Sequence, residues 1–457
     1  MSDQNIKKKI LLSCTLGAFI APYMISAINV AIPPIGREFQ LSTTTMNWIV
    51  LSLSLFMAVF ILPFGKLADI YGRKKLLLLG ISIFTLASLF CGLSINVIML
   101  IAFRILQGTS AGMISVTSIS LLSSAYSREE RGKALGINVA ATYIGLSSGP
   151  FLGGFLTQYL GWRSVFFLVV PLGITLIILL SSFKQDWIDA EGEKFDFQGS
   201  LIYSSGLFGV VGGLSLIHHF LGLPMVFSGC ILIALFLFYE KRVKIPILDV
   251  NLLKTNRVLF FSSLAALINY SATFVISYLL SLYLQYVKGL EPQQAGLVLI
   301  AQPFMQALFS PLAGSISDRL DPQIVASFGM AITTIGLGLL IFLGGNSSLL
   351  YIIFALFIVG FGFAFFSSPN TNAVMNSVKR RYYGVASGVL GSARTVGQAL
   401  SMSITSLVMI IYMGNISISR DYHPGFLESV KVTFVILTIL CFLGIFASIA
   451  RGKTKVN

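Results

Sequence analysis

Long apolar segments separated by short polar joints run through the whole chain. Crossing the hydrocarbon core of a bilayer takes about 20 apolar residues in helical form. Segments of that kind lie near 10–35, 44–68, 75–95, 97–124, 133–158, 162–183, 199–219, 224–240, 257–286, 293–316, 323–343, 348–369, 383–412 and 429–450. The pattern predicts an all-α membrane protein with fourteen transmembrane helices. Two polar breaks are longer than the rest. Lys184 to Gln198 carries Asp186, Asp189, Glu191, Glu193 and Asp196 and reads as a solvated linker, and a basic one runs from Glu240 through Lys241, Arg242 and Lys244 to Arg257. They divide the chain into an N-terminal six-helix bundle over 1–183, a linker with two inserted transmembrane helices over 184–256, and a C-terminal six-helix bundle with a short tail over 257–457.

The two halves repeat. The joint Gly65-Lys66-Leu67-Ala68-Asp69-Ile70-Tyr71-Gly72-Arg73-Lys74-Lys75 returns downstream as Gly314-Ser315-Ile316-Ser317-Asp318-Arg319-Leu320, without the basic tail. Gly132 and Gly136 recur as Gly384 and Gly388, and Gly145 as Gly397, at a common offset of 252. A repeat on that scale, with its polar joints on one side, predicts two parallel helical bundles related by an axis along the membrane normal. The substrate path then runs between them.

Composition agrees with the pattern. Apolar residues make up 56% of the chain and charged residues 11%, against about 25% charged in soluble domains, which excludes an ordinary water-soluble protein. The net charge of +14 could suggest nucleic acid, but its placement follows topology instead. With a cytoplasmic N-terminus, 24 Lys and Arg fall on the inside and five (Arg37, Arg163, Lys288, Arg420 and Lys431) on the outside, the positive-inside asymmetry. Both termini are therefore expected in the cytoplasm. The segment around Lys7, Lys8 and Lys9 lacks the short apolar core and cleavage site of a signal peptide, so the first helix is expected to stay. Cys14, Cys91, Cys230 and Cys441 fall in apolar stretches without ligand spacing and read as small buried hydrophobes, not a disulfide framework or metal site.

Charge within the spans is where chemistry is expected. Arg104, in Arg104-Ile105-Leu106-Gln107-Gly108, lies about a third of the way into the fourth span, where a guanidinium costs at least about 2.5 to 3.5 kcal/mol. It needs partners in the bundle interior, either at a functional site with Gln107 or as a structural arginine bonded to carbonyls. Arg394 is equally deep in the thirteenth span, whereas the repeat position of Arg104 is Leu356. All seventeen acids can be placed in loops or at span ends. Two buried bases without a buried carboxylate make an odd site for a cation.

Gly145, Gly149 and Gly153 share one face of the fifth span, with Pro150 and Gly154 beside them. Such a stripe lets helices approach closely, and the proline frees one backbone bond for a bend. Candidate cleft residues are Ser26, Asn29, Asn138, Tyr143, Asn269, Tyr278, Gln302 and Gln306, with Ser52, Ser54, Thr142 and Tyr270 as further polar positions. Each could equally be helix-to-helix glue. His218 and His219 fall at a span end and read as interfacial. The chain has no phosphate-binding Gly-x-x-x-x-Gly-Lys loop, no His-Glu-x-x-His pair and no nucleophile elbow. An enzyme is therefore not expected, nor a metal or cofactor, and any energy should come from an ion gradient.

Three of these motifs, in order and in the right spans, resemble the major facilitator superfamily, and specifically its fourteen-span drug and proton antiporter branch. The joint Gly65 to Lys75 is similar to the family's loop between spans two and three, the Arg104 to Gly108 run to its span-four motif, and Gly145 to Gly154 to its antiporter motif. Trp162-Arg163 and Phe195-Asp196 also resemble that branch. The resemblance implies alternating access, with the glycine-rich fifth span sealing the closed state and Gly65, Asp69, Gly72 and Arg73 acting as a gate. It implies that Asp69 faces the start of the thirteenth span, where a carboxylate gains roughly 0.3 to 1 kcal/mol from the helix terminus. Asp318 and Arg319 form the weaker counterpart, so Asp69 is expected to matter more. One departure stands out: the branch has an aspartate shortly before a run that reads here Asn29-Val30-Ala31-Ile32-Pro33, and its place is held by Met24.

The resulting expectation is a monomeric multi-pass exporter of small amphipathic compounds in the plasma or inner membrane, conferring antibiotic resistance through multidrug efflux by proton antiport. Arg104, Gln107 and Arg394 are its transport and coupling candidates. The alternative is a dedicated exporter of one neutral or anionic metabolite, siderophore or lipid-like compound. The expected partners are the substrate, protons and the bilayer, with no nucleic acid.

Overall fold

The computed structural model describes residues 3–127, 130–378, 383–414, 418 and 423–452. All regular structure among them is helical. In chain order the helices are α1 (Asp3–Glu38), α2 (Thr43–Tyr71), α3 (Arg73–Gly92), α4 (Val97–Ala125), α5 (Arg131–Leu160), α6 (Arg163–Phe167), α7 (Val169–Ser181), α8 (Phe197–Ser215), α9 (Gly222–Glu240), α10 (Val250–Thr255), α11 (Arg257–Thr273), α12 (Ile276–Leu282), α13 (Pro292–Leu299), α14 (Ala301–Arg319), α15 (Pro322–Leu340), α16 (Leu349–Asn376), α17 (Tyr383–Met413) and α18 (His423–Ala450). Short polar caps start many of them. Ser42 accepts from the Thr45 amide at α2, Asn96 from Met99 at α4, Asn256 from Leu259 at α11 and Ser348 from Tyr351 at α16, satisfying amides a helix start leaves free.

Among the described residues, thirteen helical segments are long and apolar enough to cross a membrane. The seventh expected span is a helix, α8, but falls outside that group because its glycines and serines dilute its hydropathy. Those glycines are used for packing: a Cβ at Gly209 or Gly213 would stand 2.9 Å from backbone or side-chain atoms of α9. Three expected single spans are broken. The sixth is split into α6 and α7. The ninth stops at Thr273, restarts at Ile276 and ends in a π turn over Tyr283–Val287. The tenth breaks at Ile300 between α13 and α14, where Pro303 has no amide to offer the preceding turn.

The helix order repeats as the sequence offset implies, and so does the packing. Helix α1 lies along α5 and α2 along α4, while α11 lies along α17 and α14 along α16. A Cβ at Gly145 would stand 2.5 Å from the Phe19 carbonyl oxygen, and one at the repeat position Gly397 would stand 2.5 Å from that of Leu267. The two bundles meet along two seams, α2 with α17 and α5 with α13, which the repeat relates to one another. Helix α8 rests only on the first, through Tyr203 and Ser204 hydroxyls on the Ala58 and Val59 carbonyls and a 3.1 Å bond between Ser215 and Ser403. Large apolar side chains such as Phe227, Phe342 and Leu350 remain exposed on the outer helix faces, as a lipid-facing surface requires. Cys14, Cys91 and Cys441 are buried, whereas Cys230 is exposed on α9, contrary to the expectation of four buried thiols.

Candidate functional site: a cavity between the two bundles

A cavity of about 320 Å³ lies between the bundles. One wall is formed by α1, α2, α4 and α5, the other by the broken α11–α12 segment, α14, α16 and α17. Of the candidate residues, Ser26, Asn29, Asn138, Tyr143, Gln302 and Gln306 line it, with Arg394 opposite the first three. Ser26 donates to the Leu146 carbonyl at 2.9 Å and Asn138 to the Cys14 carbonyl at 2.9 Å, so both also tie helices of the first bundle together. Tyr143 reaches across to the Ser367 hydroxyl at 3.3 Å. The Asn29 and Gln302 side-chain oxygens and the Ser118 hydroxyl have no hydrogen-bond partner among the described residues.

Two candidates lie elsewhere. Asn269 and Tyr278 are fully buried off the cavity, and their helix turns Tyr270, Thr273, Phe274 and Ser277 toward it instead. Tyr270 is one of the expected polar positions, and the i, i+3, i+4, i+7 spacing it shares with Thr273, Phe274 and Ser277 is the signal that would have found the other three. Gln398, one turn beyond Arg394, was also missed as a lining residue. Met24, the position of the absent aspartate, is fully buried and does not line the cavity. His218 and His219 are exposed between α8 and α9.

The two deep arginines have different surroundings. Arg104 is fully buried and outside the cavity. Its Nε donates to the Ile49 carbonyl at 2.9 Å and its Nη1 to Gln107 Oε1 at 2.9 Å, while Gln107 donates onward to the Ser88 hydroxyl at 2.8 Å. The network joins α2, α3 and α4. Arg394 does line the cavity, with Nη2 on the Thr371 hydroxyl at 2.6 Å and its guanidinium carbon 5.7 Å from the centre of the Tyr270 ring.

One end of the cavity is closed by contacts between bundles. Gln285, in the π turn, donates to the Val30 carbonyl at 2.9 Å, and the Tyr286 hydroxyl donates to that of Pro33 at 3.2 Å. Beside them the Tyr159 hydroxyl donates to Gln293 Oε1 at 3.1 Å, and the Gln293 amide to Gln158 Oε1 at 3.2 Å. The glycines of α5 divide the packing. Cβ atoms at Gly145, Gly149 and Gly153 would press on α1, whereas Gly154 abuts the Pro292 carbonyl and the Pro150 carbonyl sits against Gly296.

At the opposite end, the joint between α2 and α3 is clamped by the first linker. Arg73 pairs with Asp69 at 2.7 Å and Asp189 at 2.6 Å, and Lys66 with Glu193 at 2.5 Å. Arg73 also donates to the Ser124 hydroxyl. Asp186 accepts the Lys74 and Lys75 amides at 2.8 and 3.2 Å, capping α3 from a distant segment. Gly72 has a φ of 111° and lies against that carboxylate, where a Cβ would collide. The Asp69 carbonyl accepts the Asp189 and Ala190 amides. The linker expected to be solvated is thus partly docked, because its acids meet the basic joint of Lys66, Arg73, Lys74 and Lys75. The expected contact of Asp69 with the start of the thirteenth span concerns a region that includes residues 379–382, outside the described residues. Gly65 has open space around it. Asp318 receives a 3.4 Å bond from Asn372, and neither it nor Arg319 forms an ion pair among the described residues.

The sequence profile of the Major Facilitator Superfamily matches residues 14–401 and 259–455. The multidrug resistance protein Stp of Mycobacterium tuberculosis (strain CDC 1551 / Oshkosh) is 31% identical over 413 residues, covering 88% of this chain and 76% of that protein. The riboflavin transporter RibZ of Clostridioides difficile (strain 630) is 28% identical over 444 residues, 96% of each. Among solved structures, a bacterial homologue of the human lysosomal transporter Spinster, inward-facing and unoccupied, superposes with a TM-score of 0.70 at 18% identity over 97% of each chain. The peptide transporter POT superposes with a TM-score of 0.71 at 11% identity, over 98% of this chain and 99% of its own. With two repeated bundles around a central cavity and a profile match over nearly its whole length, this multi-pass membrane protein belongs to the Major Facilitator Superfamily of transporters.

Proposed function

We propose that the chain is a secondary active exporter of small amphipathic compounds, working by alternating access with proton antiport as a monomer in the plasma or inner membrane. The observation that carries this reading is the cavity itself: both bundles line it, and one of its ends is closed by contacts between them. With the termini in the cytoplasm, as the charge asymmetry favours, the closed end faces outward and the cavity is in the state that receives substrate from inside. The kinship with a protein named for multidrug resistance supports efflux. In this reading α8 and α9 are spans seven and eight of fourteen. The joint around Gly65, Asp69, Gly72 and Arg73 serves as the main gate and Asp318 with Arg319 as the weaker one. Gly145, Gly149, Pro150, Gly153 and Gly154 keep the closed end tight. Arg394 acts on substrate directly, and Arg104 with Gln107 braces the helices that carry the cavity wall.

A second reading, a dedicated exporter of one neutral or anionic compound, draws on the absence of any acid among the described cavity-lining residues and on a relative named for riboflavin. Reconstitution in proteoliposomes with an imposed pH gradient tests both readings. Efflux predicts gradient-driven movement of ethidium, riboflavin and 2-naphthoate alike, lost in Asp69→Asn at equal protein level. Movement of riboflavin or 2-naphthoate without ethidium selects the dedicated exporter. Absence of gradient-driven movement of all three refutes the proton-coupled reading.

A further inference from the structure

Resting on the reading of the cavity as the substrate site, we propose that Arg394 and Tyr270 form a recognition site for the acidic head of an aromatic monoanion. Among the described lining residues Arg394 is the only Lys or Arg, and none is Asp or Glu. Its surroundings supply hydroxyls, amides and ring faces in place of a counter-ion. Thr371 takes one guanidinium nitrogen, the Tyr270 ring lies beside the group, and the Nε is buried without an acceptor among the described residues. Across the cavity stand Tyr143 and Asn138, again uncharged.

A cation left in a membrane interior without an opposite charge is unfavourable. A ligand that brings the missing charge removes that penalty and gains charge-assisted hydrogen bonds, for which a planar carboxylate matches the guanidinium. A cationic ligand in the same place meets repulsion and finds no carboxylate. The remainder of the ligand is specified by its neighbours. Tyr270 and Phe363 stand edge to face with ring centres 5.2 Å apart, and both line the cavity with Phe274. These rings offer faces and edges to an aromatic body, while the unpartnered Gln302 and Asn29 oxygens accept from donors on its far side.

The test uses three probes of one shape: 2-naphthoate, 2-naphthamide and 2-naphthylmethylammonium, titrated calorimetrically onto the purified full chain. A charge-assisted bond to Arg394 is expected to favour the carboxylate over the ammonium by about tenfold or more. Arg394→Gln should erase that preference while leaving 2-naphthamide binding intact, and Arg394→Lys should retain part of it. The Lys variant decides the matter if the Gln variant does not fold: with naphthamide still bound, a reduced preference for the carboxylate is the expected result, and a preference undiminished by the change overturns the proposal. Equal binding of carboxylate and ammonium to the unmodified chain overturns the proposal alone, as does a charge order that survives Arg394→Gln. Failure of all three probes to bind overturns the reading of the cavity as a substrate site together with the proposal.

Discussion

Arg104 and Arg394 share a residue type, a place inside an apolar span and a lack of acidic partners among the described residues, yet the structure gives them different surroundings. Arg104 donates to a backbone carbonyl of α2 and a side-chain oxygen of α4 in a fully buried setting. Removing it leaves two buried acceptors without their charged donor, which costs about 2 kcal/mol or more. Arg104→Ala should therefore lower the thermal unfolding midpoint in detergent and leave ligand affinity at the cavity unchanged in the protein that stays folded. Lost affinity at an unchanged midpoint would contradict this assignment. From sequence, both arginines could be located but not distinguished, because insertion cost reports depth and not direction. Asn269 and Tyr278 illustrate the same limit: a shift of one residue around a helix moves a side chain by about 100°, so that of the neighbouring candidates Asn269 and Tyr270 only Tyr270 lines the cavity.

Several helices meet at their glycines. Helix α5 shows one set of glycines to α1 in its own bundle and another, Gly154 with the exposed carbonyl of Pro150, to α13 in the other bundle. In the proposed alternating access, the first set stays in contact within its bundle and the second must part. Gly296, which meets the Pro150 carbonyl, belongs to the second set. Gly296→Ala should hold that end open, raising the labelling rate of a Gln302→Cys reporter by a membrane-impermeant maleimide added on the side of residues 288–291. Unchanged labelling with normal transport would show that the α5–α13 seam does not gate. The breaks in the ninth and tenth spans sit at the same seam and cavity. Irregular backbone at that depth is tolerated only where protein or a cavity covers it, and Pro303 was its one visible sign in the sequence.

For the whole molecule, the symmetry of the two halves is broken by the inserted pair α8 and α9. The repeat relates the seams α2–α17 and α5–α13, but α8 bridges only the first, bonding to α2 through Tyr203 and Ser204 and to α17 through Ser215. Rocking of the bundles must change at least one of these attachments. A disulfide between cysteines placed at 215 and 403, whose hydroxyls are 3.1 Å apart, should stop transport and be relieved by reductant. Full transport in the cross-linked protein would mean that α8 travels with α17. The first linker adds a second asymmetry, since its acids clamp the joint of the first half, while the second joint forms no ion pair among the described residues.

Composition, span spacing and the 252-residue offset determined the membrane class, the two related bundles and the motifs that identify the superfamily, because apolar length and repeated glycines are properties of the chain taken one segment at a time. Rotation of each helix about its axis, the docking of Asp186, Asp189 and Glu193 on the joint, and the different surroundings of Arg104 and Arg394 were decided only in the tertiary structure. Each depends on which distant segment comes to lie alongside, and a polar side chain in a greasy helix takes its role from the neighbour it finds there.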